Sequence, residues 1–511
     1  MTEKALYNAT ADLIERNLAA GRGDKVAFID TNGSYTYSDV AERVNKVANA
    51  LTERGVQPEQ RVVLCMLDTI DLVAAFLGAI KAGIVPIPIN TRLTEDDYAY
   101  IVQDSRATGL ILSEALLPAF KSHIGSQTSL KTVLISGNDA HGHELFADAT
   151  RTASDDFETA PTRAEDMCFW LYTSGTTGMP KGAVHLQSSL IETADLYATP
   201  TLGMSENDVV YSAAKLFFAY GLGNGLTFPM AAGATTVLLE GMPTPDAVAE
   251  ILATHQVTVF FGVPTLYGML LASDDLPKEG EHNLRICVSA GEALPGELLR
   301  RWQERMGTET LDGLGSTEML HIFLTNHQGD VRPNSSGKAV PGYELQIVDD
   351  DGLPVPEGEL GHLEVAGPTS AIMYWNQREK SRETFKGKWT RTGDKYTVDA
   401  DGYYTYGGRS DDMMKVGGIY VSPFEVEGAL LENDAVLEVA VVSHPDHDNL
   451  IKPKAFVVPA AGYDASDALG AKLQAFVRDK LADYKYPRWI EFRDELPKTA
   501  TGKIQRYKLR A

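Results

Sequence analysis

Short apolar runs of strand length recur through the first four hundred residues, and stretches with helical spacing separate them. Val62–Leu67 (VVLCML) leads into an apolar-rich segment around Leu72–Ile80. Gly83–Ile89 (GIVPIPI) is followed by Arg92–Val102, and Leu110–Leu112 and Val133–Ile135 are further strands. Alternation of this kind predicts parallel sheet with crossover helices. Val257–Val263 reads as another buried strand, and Pro264 stands where a first helical turn tolerates proline. At about 150 residues per domain, 511 residues suggest roughly three structural units. A chain of that length buries a large core without staples.

Near Gly342 the texture changes to strands separated by turns (YELQIVDDDG, GHLEVAG, YYTYGG), which predicts a small antiparallel unit over about 342–408. After Arg409 it changes again. Val421–Leu431 and Ala471–Leu481 read as helices, and Leu437–His444 and Pro453–Pro459 as strands. The fold expected is therefore α/β. A large N-terminal domain over 1–410 has parallel-type sheets, helices and the β unit, and a small α+β domain over 411–511 follows it.

Charge narrows the partners. With 46 basic and 70 acidic residues the net charge is −24, which argues against nucleic-acid binding driven by bulk charge and against polybasic membrane docking. Residues 485–511 run the other way, with eight basic and three acidic side chains. The first residues have early acids and no apolar core of a secretory signal, and no lipidation or retention signal is present, so a cytoplasmic protein is expected. Cys65, Cys168 and Cys287 are too few and scattered for a disulfide framework or a Cys-rich zinc site. Leu216–Leu239 lacks charge and is long enough to span a bilayer, but it contains Gly221, Gly223, Asn224, Gly225, Pro229 and Gly233, so buried loop and strand are expected there.

The sharpest local pattern is Thr173-Ser174-Gly175-Thr176-Thr177-Gly178-Met179-Pro180-Lys181-Gly182. Small residues let backbone approach a ligand, hydroxyls and N–H groups surround phosphate oxygens, and lysine adds a point charge. It is not a Walker loop: two residues, not four, separate Gly175 from Gly178, and glycine follows Lys181.

YTSGTTGMPKG resembles the phosphate loop of the adenylate-forming superfamily of acyl- and aryl-CoA synthetases, peptide-synthetase adenylation domains and luciferases. Gly315-Ser316-Thr317-Glu318 is similar to its second core motif, and Thr390-Arg391-Thr392-Gly393-Asp394 to its ribose-binding motif. Gly408-Arg409-Ser410-Asp411-Asp412, with Lys415 and Gly417-Gly418, is similar to its hinge motif. Pro497–Ile504 (PKTATGKI) resembles its C-terminal catalytic loop. These motifs occur in the family's order and span most of the chain.

The resemblance implies ATP, Mg²⁺ and coenzyme A. It implies that the glycine-hydroxyl loop and Lys181 hold phosphates, and that Glu318 ligates Mg²⁺, for which one hard carboxylate with waters and phosphates suffices. Asp394 would accept from both ribose hydroxyls, and Arg409 would add a fixed positive fork near ribose or phosphate. Ser289, Ala290, Gly291 and Glu292, with Asp312 and Gly313, would line adenine, beside Ser316 and Thr317. Lys503 would bridge the α-phosphate and the attacking carboxylate, a contact whose loss typically costs about 10²–10³ in rate. In relatives the small domain is mobile and rotates between the half-reactions, pivoting at the position of Asp411. Its other face, with Lys415, Gly417 and Gly418, would serve thiol transfer. Arg92 matches a position where a related ligase type uses an arginine for CoA.

KLFFAYGLGNGLTFP and GSTEMLHIF look like ligases that use benzoate and hydroxybenzoates. That makes Phe218, Ala219, Tyr220, Gly221, Gly315, His321 and Ile322 candidates for an aryl-acid pocket. The partners expected are small molecules, in a monomer or homodimer. Two other readings stay open at this level: a stand-alone adenylating enzyme that loads a carrier protein, and a catalytically silent nucleotide-binding homologue.

Overall fold

The computed structural model describes residues 5–510 apart from 126–128, 174–178, 410–411, 417–418, 448–449 and 499–503. Two sheets frame the large domain. One runs Val85–Pro88, Arg61–Cys65, Gly109–Ser113, Thr132–Ser136, Glu144–Leu145, with every neighbouring pair parallel. Its inner strands are the apolar runs expected from sequence.

The second sheet has nine strands. Val26–Asp30, Thr235–Val237, Val209–Ser212, Val259–Gly262, Ile286–Ala290 and Thr310–Gly315 are successive parallel neighbours. Antiparallel strands close both edges, Gly33–Thr36 on one side and Ile322–Thr325 with Lys338–Ala339 on the other. Helix Ile70–Lys81 is buried from Ile70 to Ile80 except at Asp71. A helix apolar all round must lie between layers, and this one contacts strands of both sheets. Pro264 opens helix Pro264–Leu271, as expected.

Leu216–Leu239 departs from expectation. Instead of loop and strand it is chiefly helix: Ala219–Leu222, a π-helical turn Gly223–Thr227 and Phe228–Ala232, with strand confined to Thr235–Val237. Glycine here serves close approach. A Cβ on Gly221 would lie 2.0 Å from the Lys215 carbonyl oxygen, and one on Gly223 would lie 2.4 Å from His321 Cδ2. Pro229 stands just after the π-helical turn, at the start of Phe228–Ala232.

Residues 344–409 form the antiparallel unit, a five-stranded sheet. Beyond it, Val436–Pro445, Ile451–Pro459 and Trp489–Phe492 form a small sheet under helices Pro423–Leu431 and Asp467–Lys480. This smaller domain has its own core, with Val426, Leu430, Val441, Val457, Leu473 and Val477 at its centre. Among the described residues no helix is long and apolar enough to cross a membrane. The three cysteines are buried and unbridged, and burial pushes the Cys65 and Cys287 thiols up to about 12.

Candidate active site

The glycine-hydroxyl loop springs from a hairpin. Thr173 ends one strand and pairs in register with Lys181, which begins the next. Ser174, Gly175, Thr176, Thr177 and Gly178 lie outside the described residues. Lys181 Nζ stands 4.4 Å from the centre of the Tyr374 ring. The Tyr374 hydroxyl donates to Glu318 Oε1 at 2.5 Å, and the Ala371 N–H donates to the Glu318 carbonyl at 2.7 Å. Lysine, aromatic face and carboxylate thus form one cluster. Burial lowers the Lys181 pKa, and the charge of Glu318 opposes that fall. Sequence reasoning found Lys181 and Glu318 but missed Tyr374. Its only signal is a strand pairing, Tyr374 with Ala183, that appears once the chain is folded.

Ser289 and Asp312 face each other in register near the ends of adjacent parallel strands, as do Ala290 and Gly313. Gly291 follows with φ +93°, a left-handed turn that suits glycine. Both carboxylate and hydroxyl are buried, and the Ser289 hydroxyl bears on the Asp312 carboxylate. Burial holds the Asp312 carboxyl well above the usual carboxylate range.

Asp394 and Arg409 are likewise register partners, in the antiparallel unit, with Nη1 3.4 Å from Oδ1. Gly393 at φ +82° lets the chain turn beside the guanidinium. Ser316 Oγ accepts from Met319 N at 3.2 Å, and the Thr317 carbonyl lies 2.9 Å from His185 Nε2.

Of the aryl candidates, Tyr220 and Gly315 adjoin His321, while Phe218, Gly221 and Ile322 pack on Phe217, the Lys215 carbonyl and Gly313. The His321 ring is 2% exposed, with centroids of Phe228, Tyr197 and Tyr220 at 4.4, 5.5 and 5.5 Å. Nε2 lies 3.0 Å from Asn224 Oδ1, and burial drives the imidazole pKa down to about 3, so the ring is neutral. Tyr220 donates towards the carbonyls of Gly262 and Val288 at 3.3 and 3.2 Å, which fixes its ring beside those strands. Ala219 begins the helix, and the Phe218 ring lies 4.4 Å from that of Phe217, tilted by 53°, at its N-terminal edge. Gly315 admits the His321 backbone, whose carbonyl oxygen would lie 2.7 Å from a Cβ there. Ile322 packs its side chain onto Gly313. In the sequence Asn224 stood only among the helix breakers of 216–239, and Tyr197 was not singled out.

The small domain reaches the site through Ile504, whose N–H donates to Glu292 Oε1 at 3.3 Å, and Glu292 Oε2 accepts from Thr265 Oγ1 at 3.1 Å. Lys503, Asp411, Gly417 and Gly418 lie outside the described residues. Lys415 is exposed on strand Met414–Val416. Arg92 is exposed on the large domain and directs Nη1 at Met242 Sδ, 3.3 Å away.

The sequence model of AMP-binding enzymes matches residues 15–375, and that of their C-terminal domain matches residues 425–503. The chain belongs to the AMP-binding enzyme family. A benzoate–CoA ligase from Thauera aromatica is 59% identical over 507 residues, 99% of this chain and 96% of the relative. The crystal structure of a benzoate CoA ligase from Burkholderia xenovorans LB400 is 50% identical, with TM-score 0.94 over 99% of this chain and 100% of that one. An anthranilate CoA ligase solved in complex with anthranoyl-AMP is 44% identical, with TM-score 0.95 over 99% and 97% of the two chains. Membership carries AMP-forming ligase chemistry and the two-domain fold with it.

Proposed function

We propose that this protein joins an aromatic carboxylate of the benzoate or hydroxybenzoate type to coenzyme A through an aryl-AMP intermediate. The aromatic enclosure around His321, three residues beyond Glu318, carries this reading, in a chain similar over its whole length to ligases named for benzoate and anthranilate. A flat ring suits a wall of aromatic and glycine positions.

In the first half-reaction an aryl carboxylate oxygen attacks the α-phosphorus of ATP and pyrophosphate leaves. Lys181 and the loop from Thr173 to Gly178 hold the β- and γ-phosphates. Asp394 accepts from the ribose hydroxyls, with Arg409 beside it. Ser289, Gly291, Asp312 and Gly313 line the base. Lys503 bridges carboxylate and α-phosphate as charge shifts between them. Mg²⁺ fits Glu318: the half-buried carboxylate stands beside the root of the phosphate loop, and this ion uses one or two carboxylates with phosphate oxygens rather than a protein cage. When bound, it supplies charge neutralisation at the phosphates.

In the second half-reaction the CoA thiolate attacks the acyl carbonyl and AMP leaves. The domain boundary is placed at 410/411, with Asp411 as pivot, and rotation exchanges Lys503 for the Lys415, Gly417 and Gly418 face. Arg92 is the candidate for the CoA nucleotide. The buried, unbridged cysteines support a reducing cytoplasm, and the protein is proposed to act as a monomer or homodimer.

The test is AMP release with ATP and Mg²⁺ across benzoate, 4-hydroxybenzoate, 2-aminobenzoate, cinnamate, acetate and octanoate, each with and without CoA. CoA-dependent AMP and an aryl-CoA product from the benzoate-type acids is the expected result. Turnover confined to acetate or octanoate would overturn the pocket assignment while leaving the chemistry intact.

A further inference from the structure

We propose that Asp68 is a positioning residue for the aryl-acid wall: its buried carboxylate, reaching across from the five-stranded parallel sheet, pins the root of the segment that presents Phe217, Phe218, Ala219 and Tyr220. The proposal rests on the pocket assignment above and deepens it.

Asp68 follows strand Arg61–Cys65 and precedes helix Ile70–Lys81, and it is 5% exposed. Its two oxygens lie 3.3 and 3.2 Å from the Leu216 backbone nitrogen, which donates to them. From that point the segment turns tightly. The Lys215 carbonyl accepts from Phe218 N at 3.0 Å, the Phe218 carbonyl from Leu222 N at 2.8 Å, and the Leu216 side chain lies against Gly225. Gly221 packs directly on the carbonyls of Ala214 and Lys215. The whole turn is therefore referenced to the Leu216 N–H, and among the described residues the acceptor for that N–H is Asp68. A displaced Leu216 moves Phe218 and the first turn of the helix with it.

The neighbourhood also holds charge. Lys215 is the cation that acts on Asp68, and its ammonium donates to the Leu239 carbonyl. Glu240 acts on Lys215 from the other side, and the Tyr211 phenol faces Asp68 from strand Val209–Ser212. On Asp68's own side, the Ile70 N–H is taken by Asp30 Oδ2 at 3.0 Å. Burial raises the Asp68 carboxyl to about 6, against the opposing pull of Lys215 and the Leu216 N–H. Below that pH the carboxyl takes up a proton, and Lys215 loses the buried charge that balances it.

The experiment measures pyrophosphate release in the adenylation half-reaction for the wild type, Asp68→Asn and Asp68→Ala. Apparent KM is obtained separately for benzoate and for ATP between pH 5 and 8. Asp68→Ala raises KM for benzoate by about 10–100-fold, the scale of a displaced positioning contact, and leaves KM for ATP within about twofold. Asp68→Asn keeps an acceptor for Leu216 N and loses the titration. It stands for the protonated carboxyl at every pH: at pH 8 its kcat/KM for benzoate is already at the reduced level that wild type reaches below about pH 6, and the wild-type fall is absent from it. If Asp68→Ala moves both KM values equally, or neither, the proposal fails. It also fails if Asp68→Asn keeps the wild-type acid limb. Failure of the substrate reading is a different result, since wild type then prefers a non-aromatic acid in the AMP-release panel.

Discussion

Replacing Arg506 by methionine removes half of a buried ion pair that ties the C-terminal segment to the small domain. Arg506 donates to both oxygens of Glu427, Nη2 to Oε2 at 2.8 Å and to Oε1 at 3.0 Å, and Nε to Oε1 at 3.2 Å. The side chains are 9% and 8% exposed, and the guanidinium lies 4.3 Å from the Phe424 ring centre. Removing one partner of such a pair strands the other charge, at about 3–5 kcal/mol. In a unit of about a hundred residues, each kcal/mol moves Tm by about 4–8 °C, so the small domain should melt some 12 °C or more earlier. Differential scanning calorimetry should then resolve a separate low-temperature transition. Glu427 Oε1 also accepts from Val441 N at 2.6 Å, so the compensating change must keep an acceptor. Arg506→Met combined with Glu427→Gln does so without leaving a charge, and should recover at least half of the loss. A single-mutant shift below about 4 °C, or a double mutant no better than the single, would refute this account.

Three further outcomes follow from the same geometry. Tyr374→Phe removes a charge-assisted hydrogen bond worth about 1.5–3 kcal/mol from Glu318 and should slow aryl-AMP formation by roughly 10–100-fold in single-turnover measurements, with thiolysis of supplied aryl-AMP nearly unchanged. His185 is held neutral by burial at about 4 against its ordinary 6.5; between those values the unfolded chain binds the extra proton, so stability falls as pH drops. His185→Gln, which can still donate to the Thr317 carbonyl, should flatten the Tm–pH slope in that window. Gly221→Ala drives a methyl into the Lys215 carbonyl and should cost about 1–3 kcal/mol by overpacking, read as a lower Tm together with a raised KM for the aryl acid.

What could be read in the sequence followed local chemistry. Parallel strands announce themselves as apolar runs such as VVLCML because both faces are buried, and Lys181, Glu318, Asp394 and Arg409 sit in strings whose composition is dictated by a ligand. The helix through Gly221, Gly223 and Pro229 was misread because propensity counts each glycine as a cost of about 1 kcal/mol. Packing against His321 and Lys215 requires those glycines, and packing is decided by residues far along the chain. Tyr374 and Asn224 were missed for the same reason, since their partners Glu318 and His321 become neighbours only after folding. Lys503, Asp411, Gly417 and Gly418 are expected from motif alone.

The buried cysteines have a consequence for an enzyme that handles a thiol at every turnover. Disulfide exchange needs an accessible thiolate, and here all three sulfurs are 0% exposed, with burial raising each pKa. Oxidised coenzyme A accumulating around the folded protein therefore finds no sulfur to couple with. Alkylating reagents should stay silent until the chain opens, which makes the same three atoms a built-in clock for its unfolding.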